Sequence, residues 1–163
     1  MNTKDIAKSI REQLKKLGIT SKQVSVTSDY NSINARIKDV SIQPKIVEDL
    51  VHQHQKLDRC EFTGEILLGA NTYTSVCYDW QIESAITKSE EYQEHLQQVK
   101  ALCEKLGDGL ILNWKDYKTG VCRNENYFSY QVFTPMREHN YANHNLASLA
   151  WFLYVSEKNG TLV

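Results

Sequence analysis

The chain has 163 residues, with 19 Lys and Arg against 20 Asp and Glu for a net charge of −1, and it is 41% apolar and 24% charged, the profile of one ordinary soluble domain over 1–163. Such a length buries roughly 70% of the surface its unfolded form exposes, so neither metal nor disulfide is needed to hold a core. With 7 Gly, 2 Pro, no run of like residues, no apolar stretch near the roughly 18 residues of a membrane span and a polar start at Met1-Asn2-Thr3-Lys4-Asp5, collagen-like, low-complexity, membrane and secreted classes are excluded and a cytoplasmic protein is expected.

Ile6, Ile10, Leu14 and Leu17 fall at helical spacing, with Thr3 as a candidate cap and Gly18 as a left-handed stop. Val24 and Val26, then Asp29-Tyr30-Asn31-Ser32, then Ile33, Ala35 and Ile37 read as a hairpin with one wet face, on which Asn34, Arg36 and Lys38 lie. Pro44 suits the first turn of a second helix with Ile46, Val47, Leu50, Val51 and Leu57 as its buried stripe. A second hairpin is predicted from Glu65–Leu68 and Thr72–Tyr78 around Gly69-Ala70-Asn71.

Glu90, Glu91 and Glu94 open a third helix, followed by Leu96, Val99, Leu102 and Leu106 and stopped by Gly107. Leu110–Trp114 and Tyr127–Phe133 read as strands around a Lys118-Thr119-Gly120 turn, and Leu146–Val155 as a buried final helix capped by Asn145. The expected fold is therefore α+β, with α-β-β units closed by a C-terminal helix and an antiparallel sheet of hairpins carrying helices on one face.

Charge is polarised along the chain: residues 1–46 carry a net +5 and the remainder −6. Lys4, Lys8, Arg11 and Lys15 at i, i+4, i+7 and i+11 form one basic line on the first helix, suited to an acidic protein or phosphate, although a solvated helix face has the same pattern. Ten of the 16 aromatics lie between 114 and 154. On the strand Tyr127–Phe133, Phe128 and Tyr130 share one face and Tyr127 and Phe133 the other, so one side is core and the other a candidate platform. The few cations in this stretch favour a protein contact over a nucleic-acid groove, and ordinary core packing accounts for the rings as well.

Candidate chemistry is sparse. Cys60, Cys77, Cys103 and Cys122 are widely spaced, so reduced thiols are expected; Cys77 and Cys103 read as packing residues. Cys122 with His139 or His144, placed in a loop with Asn140 and Asn143, is the one set that would suit a small Cys-dependent hydrolase. His52 and His54 are two apart on a helix and point about 160° apart, which does not suit chelation, and no compact Cys/His pairing marks a metal site. Glu65 has no partner carboxylate in sight, and no G-x-G-x-x-G or Gly-Lys-Ser/Thr loop marks a nucleotide site. No cofactor and no metal are expected.

The runs Ile6-Ala7-Lys8-Ser9-Ile10-Arg11-Glu12-Gln13-Leu14-Lys15-Lys16, Val24-Ser25-Val26, Ile33-Asn34-Ala35-Arg36-Ile37 and Thr63-Gly64-Glu65-Ile66-Leu67-Leu68-Gly69-Ala70-Asn71-Thr72-Tyr73, ending at Tyr78-Asp79, resemble one of the large polyvalent protein-associated domains of phages and conjugative elements. The resemblance covers residues 4–79, departs from the family pattern at Gly18-Ile19-Thr20, Asp39-Val40-Ser41 and Gly69-Ala70-Asn71, and leaves 80–163 unassigned. It implies a non-enzymatic accessory protein of a mobile element, of the kind that inhibits host defence such as CRISPR or restriction by binding a host protein or nucleoprotein complex. Nucleic-acid binding through the basic first helix is the alternative. The candidate contact residues are Lys8, Arg11, Lys15, Arg36, Lys38, Tyr127, Tyr130 and Tyr141.

Overall fold

In the first helix, α1 (Thr3–Lys16), the short amide of Asn2 reaches forward and accepts the Asp5 N–H at 2.9 Å, so the cap is Asn2 rather than the expected Thr3. Thr3 already sits in the first helical turn, and its hydroxyl donates to the Asp29 carbonyl. The computed structural model describes residues 2–67, 69, 71–107, 109–124, 129–134 and 137–163, with the backbone alone for 137–142. The chain is α+β and forms two compact units, residues 1–83 and 84–163, each described below by itself; the division falls within a short helix, α3 (Trp80–Thr87). Among the described residues, no helix is long and apolar enough to cross a membrane.

In the first unit α1 ends at Gly18, whose φ of 79° is the left-handed turn that a side chain disfavours. The Ile19 N–H then reaches back to the Leu14 carbonyl and the Gly18 N–H to that of Lys15, which closes the helix and turns the chain toward β1 (Val24–Ser28). β1 pairs antiparallel with β2 (Ser32–Ile37), with Val24 opposite Ile37 and Val26 opposite Ala35, as the alternation predicts. Ile33, Ala35 and Ile37 are buried, together with Val24 and Val26, against Ile6, Ala7, Ile10 and Leu14 of α1 and Val47 and Val51 of α2 (Pro44–His52).

Two of the expected elements of this unit also differ from the structure. Helix α2 stops at His52 and does not run to Leu57, because the chain turns there and Lys56 exchanges backbone hydrogen bonds with Thr72. The second hairpin does not form: β3 (Tyr73–Tyr78) instead lies parallel to β2, making the order β1-β2-β3. The intervening α2 supplies the long connection that a parallel pair needs, and β3 then turns Thr74, Val76 and Tyr78 toward the helix side. Ile66 and Leu67 remain exposed, so a strand there would have had no apolar face to bury. Their loop is held by Asn71, which accepts the Asp58 N–H at 2.7 Å and donates to the Leu67 carbonyl at 2.8 Å. Leu68 and Ala70 lie outside the described residues.

The second unit opens with α4 (Glu90–Lys105), capped by Ser89 and stabilised by Glu90 and Glu91 in its positive first turn. A four-stranded antiparallel sheet follows in simple sequence order, β4 (Leu112–Asn113), β5 (Gly120–Asn124), β6 (Ser129–Thr134) and β7 (Arg137–His144), so four strands, not two, follow this helix. The expected Leu110–Trp114 strand shortens to β4, and the expected loop holding His139 and His144 is β7. Its sequence Arg137-Glu138-His139-Asn140 lacks apolar alternation, and two register shifts against β6 obscure its period further. Helix α5 (Leu146–Lys158) starts from the predicted Asn145 cap, which accepts the Ser148 N–H at 2.8 Å. Val99, Trp114, Val121, Val132, Leu149 and Leu153 are buried.

Candidate partner-binding surface

Helix α1 divides cleanly by side. Ile6, Ala7, Ile10 and Leu14 enter the core, while Lys4, Lys8, Arg11 and Lys15 are exposed and lie within about 60° of one another around the axis. None of these four cations joins an ion pair among the described residues, whereas Lys45, Lys115 and Lys158 are paired with Asp49, Glu157 and Glu91. The basic line is therefore open charge.

Beside this line runs a groove of about 780 Å³ between α1 and β1, lined by Arg11, Leu14, Lys15, Val24, Val26 and Thr27 among others. Strand β1 is the outer strand of its sheet. The Lys38 N–H donates to the Gln23 carbonyl and the Asp29 N–H to that of Ser32, which fixes Gln23, Ser25, Thr27 and Asp29 as the positions whose peptide groups turn toward β2. Val24, Val26 and Ser28 turn theirs outward into the groove; the Val24 N–H is taken up by the Thr20 carbonyl. Sequence reasoning found the cations but missed this groove, although the hairpin alternation already contained its strand.

The other predicted contact residues are not gathered here. Arg36 and Lys38 alternate with buried Ala35 and Ile37, so they lie on the sheet face turned away from α1, with Thr27, Ser75 and Cys77 exposed on the same face. Tyr130, on β6, is half-buried and its hydroxyl is hydrogen-bonded with the Cys103 thiol; burial raises the pKa of both groups. Phe133 lies on the opposite face of that strand from Tyr130, as alternation requires. Tyr127 and Phe128 lie outside the described residues, and Tyr141 is described only as backbone within β7.

The thiol candidate comes apart. Cys122 is paired across β5 and β6 with Gln131, and His144 across β6 and β7 with Tyr130, so the two side chains leave opposite faces of the sheet. Cys122 is also buried, and burial pushes its thiol pKa up, away from thiolate. Burial likewise lowers the His144 pKa, and its ring packs 5.3 Å from that of Phe152. The side chain of His139 is not described. Cys77, expected as a packing thiol, is exposed, because Val76 and Tyr78 take the inward positions of β3. The Nδ1 of His52 lies 2.8 Å from the Thr74 hydroxyl, and among the described residues no group of three or more His, Cys, Asp and Glu is arranged to hold a metal ion.

His95 was not anticipated, since it interrupts the helical stripe of α4 as a polar residue. It is buried and its Nε2 donates to the Ala150 carbonyl at 2.9 Å, which fixes the neutral tautomer, and its ring lies edge-on to Trp114 and Tyr154 at 5.2 and 5.3 Å. Burial lowers its pKa, with Lys115 nearby opposing the cation and Glu157 and Glu91 partly favouring it. In the unfolded chain the imidazole titrates near 6.5, so between that value and the lower folded one only the unfolded state takes the proton. Stability is full above about pH 6.5 and falls as the pH drops through this window. Thermal midpoints at pH 7.5 and 5.5 are expected to show this loss, and His95→Gln, which keeps a donor for Ala150 but does not titrate, is expected to reduce it. Residual pH dependence in that variant is expected from His144. No family model, curated protein or solved structure matches this chain.

Proposed function

We propose that the chain is a non-enzymatic binding protein that meets an acidic partner with the basic side of α1. The observation that carries this reading is the exposed line of Lys4, Lys8, Arg11 and Lys15, in no ion pair among the described residues, on a helix whose apolar residues Ile6, Ala7, Ile10 and Leu14 are buried in the core. Such a line raises encounter rates with an oppositely charged surface and orients the approach. The resemblance of residues 4–79 to phage and conjugative-element domains supports placing the partner in a host defence complex, with inhibition by occupancy as the outcome. The separation of Cys122 from His144 supports binding over hydrolysis.

The test is a triple reversal, Lys8→Glu, Arg11→Glu and Lys15→Glu. These side chains are exposed, so the fold is expected to change in stability by less than about 0.5 kcal/mol per site, checked by circular dichroism. Association with a partner captured from a defence-carrying host is expected to slow by about tenfold or more and to lose most of its salt dependence. Unchanged association kinetics with intact folding overturn the reading. Retained affinity for a short duplex DNA, falling steeply with salt and abolished by the reversal, would instead assign the surface to nucleic acid.

A further inference from the structure

We propose that the groove between α1 and β1 takes an acidic extended peptide of the partner as an added strand of the sheet. This deepens the reading above and rests on it. Strand addition needs an outer strand with free peptide groups, side-chain pockets beside it and room for a second backbone. All three are present. The Val26 N–H and carbonyl, the Val24 carbonyl and the Ser28 N–H point away from β2, and no strand pairs with them among the described residues. The groove of about 780 Å³ lies along the same edge. Leu14 and Ile19 supply apolar lining, and Arg11 and Lys15 stand on its helix side.

Charge selects the occupant. Alternate side chains of an added strand would point toward α1, where Glu or Asp would meet Arg11 and Lys15 and an apolar residue would meet Leu14 and Ile19. A second copy of this chain is disfavoured, because antiparallel pairing of β1 with its equivalent would bring the same two cations from each copy to one seam. A phosphate backbone would satisfy the cations but would leave the outward N–H and carbonyl groups of Val26 without a matching ladder.

The experiment uses the full chain and a fluorescein-labelled peptide of repeated Glu-Ser-Val-Ser, which sets glutamate and valine in turn on one face of an extended strand, followed by anisotropy. Three comparisons accompany it: the same peptide N-methylated on every backbone nitrogen, which blocks both edges of an extended strand, its counterpart with lysine in place of each glutamate, and the Arg11→Glu/Lys15→Glu protein. The parent peptide is expected to bind, each change is expected to weaken binding by about tenfold or more, and the Val26 amide is expected to exchange its hydrogen at least about tenfold more slowly at saturation. An N-methylated peptide that binds as well as its parent, while charge reversal still weakens binding, overturns strand addition and leaves the basic-surface reading standing. No binding of the parent peptide up to about millimolar concentration also overturns it, as does binding that charge reversal leaves unchanged. The broader reading fails separately, only when the triple reversal leaves association with the host partner unaltered.

Discussion

Replacing Ile37 with alanine is expected to cost the first unit about 2 to 5 kcal/mol, the range for emptying a fully buried aliphatic site. Ile37 is 1% exposed and sits on the central strand, opposite Val24 of β1 on one side and Tyr78 of β3 on the other. Neither neighbour can collapse into the vacated volume without disturbing its own ladder, so the upper part of the range is expected. Arg36→Ala, one residue away on the open face, is the control and is expected to stay within about 0.5 kcal/mol. Urea unfolding followed by circular dichroism checks both. An unmoved midpoint for Ile37→Ala would mean that β2 carries the opposite face inward, and the basic residues Arg36 and Lys38 would then be misplaced with it.

Leu153→Ala is expected to be comparably damaging to the second unit, again about 2 to 5 kcal/mol. Leu153 is fully buried, one turn from the equally buried Leu149, on a helix that also buries Ala150, Tyr154 and Val155. A helix this apolar around much of its circumference owes its stability to packing more than to intrinsic propensity. Trp114 and Trp151 belong to the same unit and Trp80, in the first, is already 65% exposed, so the change in tryptophan fluorescence through a urea titration comes chiefly from the second unit. A midpoint equal to that of the parent would show that α5 does not anchor this core.

The parts of the fold that were legible in the sequence are those where apolar spacing and a local cap agree. Helix α1 carries Ile6, Ile10 and Leu14 at one spacing and closes on Gly18, and the β1–β2 hairpin alternates without interruption, so both were readable from residues alone. Helices α4 and α5 were readable from their apolar runs together with the acidic first turn at Glu90 and Glu91 in one and the Asn145 cap in the other, while the Ser89 cap of α4 was not singled out. The parallel partner of β3 was not readable, because nothing local distinguishes a strand that turns back on its neighbour from one that crosses over by a helix. Strand β7 was hidden by polar composition and by its register shifts. Of the candidate surface, the basic line was visible and its separation from Arg36 and Lys38 followed from the strand alternation. The groove was not visible, since it depends on how closely α1 approaches an edge whose exposure only the sheet order reveals.

The closure at Gly18 also bears on the order in which the first unit comes together. The groove draws on residues from Arg11 to Ser28, joined through one helix stop and a short turn, so its contacts close small loops and lose little chain entropy before they begin to stabilise. The β2–β3 pairing links positions as distant as Asn34 and Ser75, 41 residues apart, and must organise α2 and the loop after it first. By the relation between contact separation and folding rate, the helix-and-edge surface belongs to the early, local part of the folding reaction and the parallel strand to the late part. A nascent chain would therefore carry the cations and the outward edge of β1 side by side before its sheet is complete.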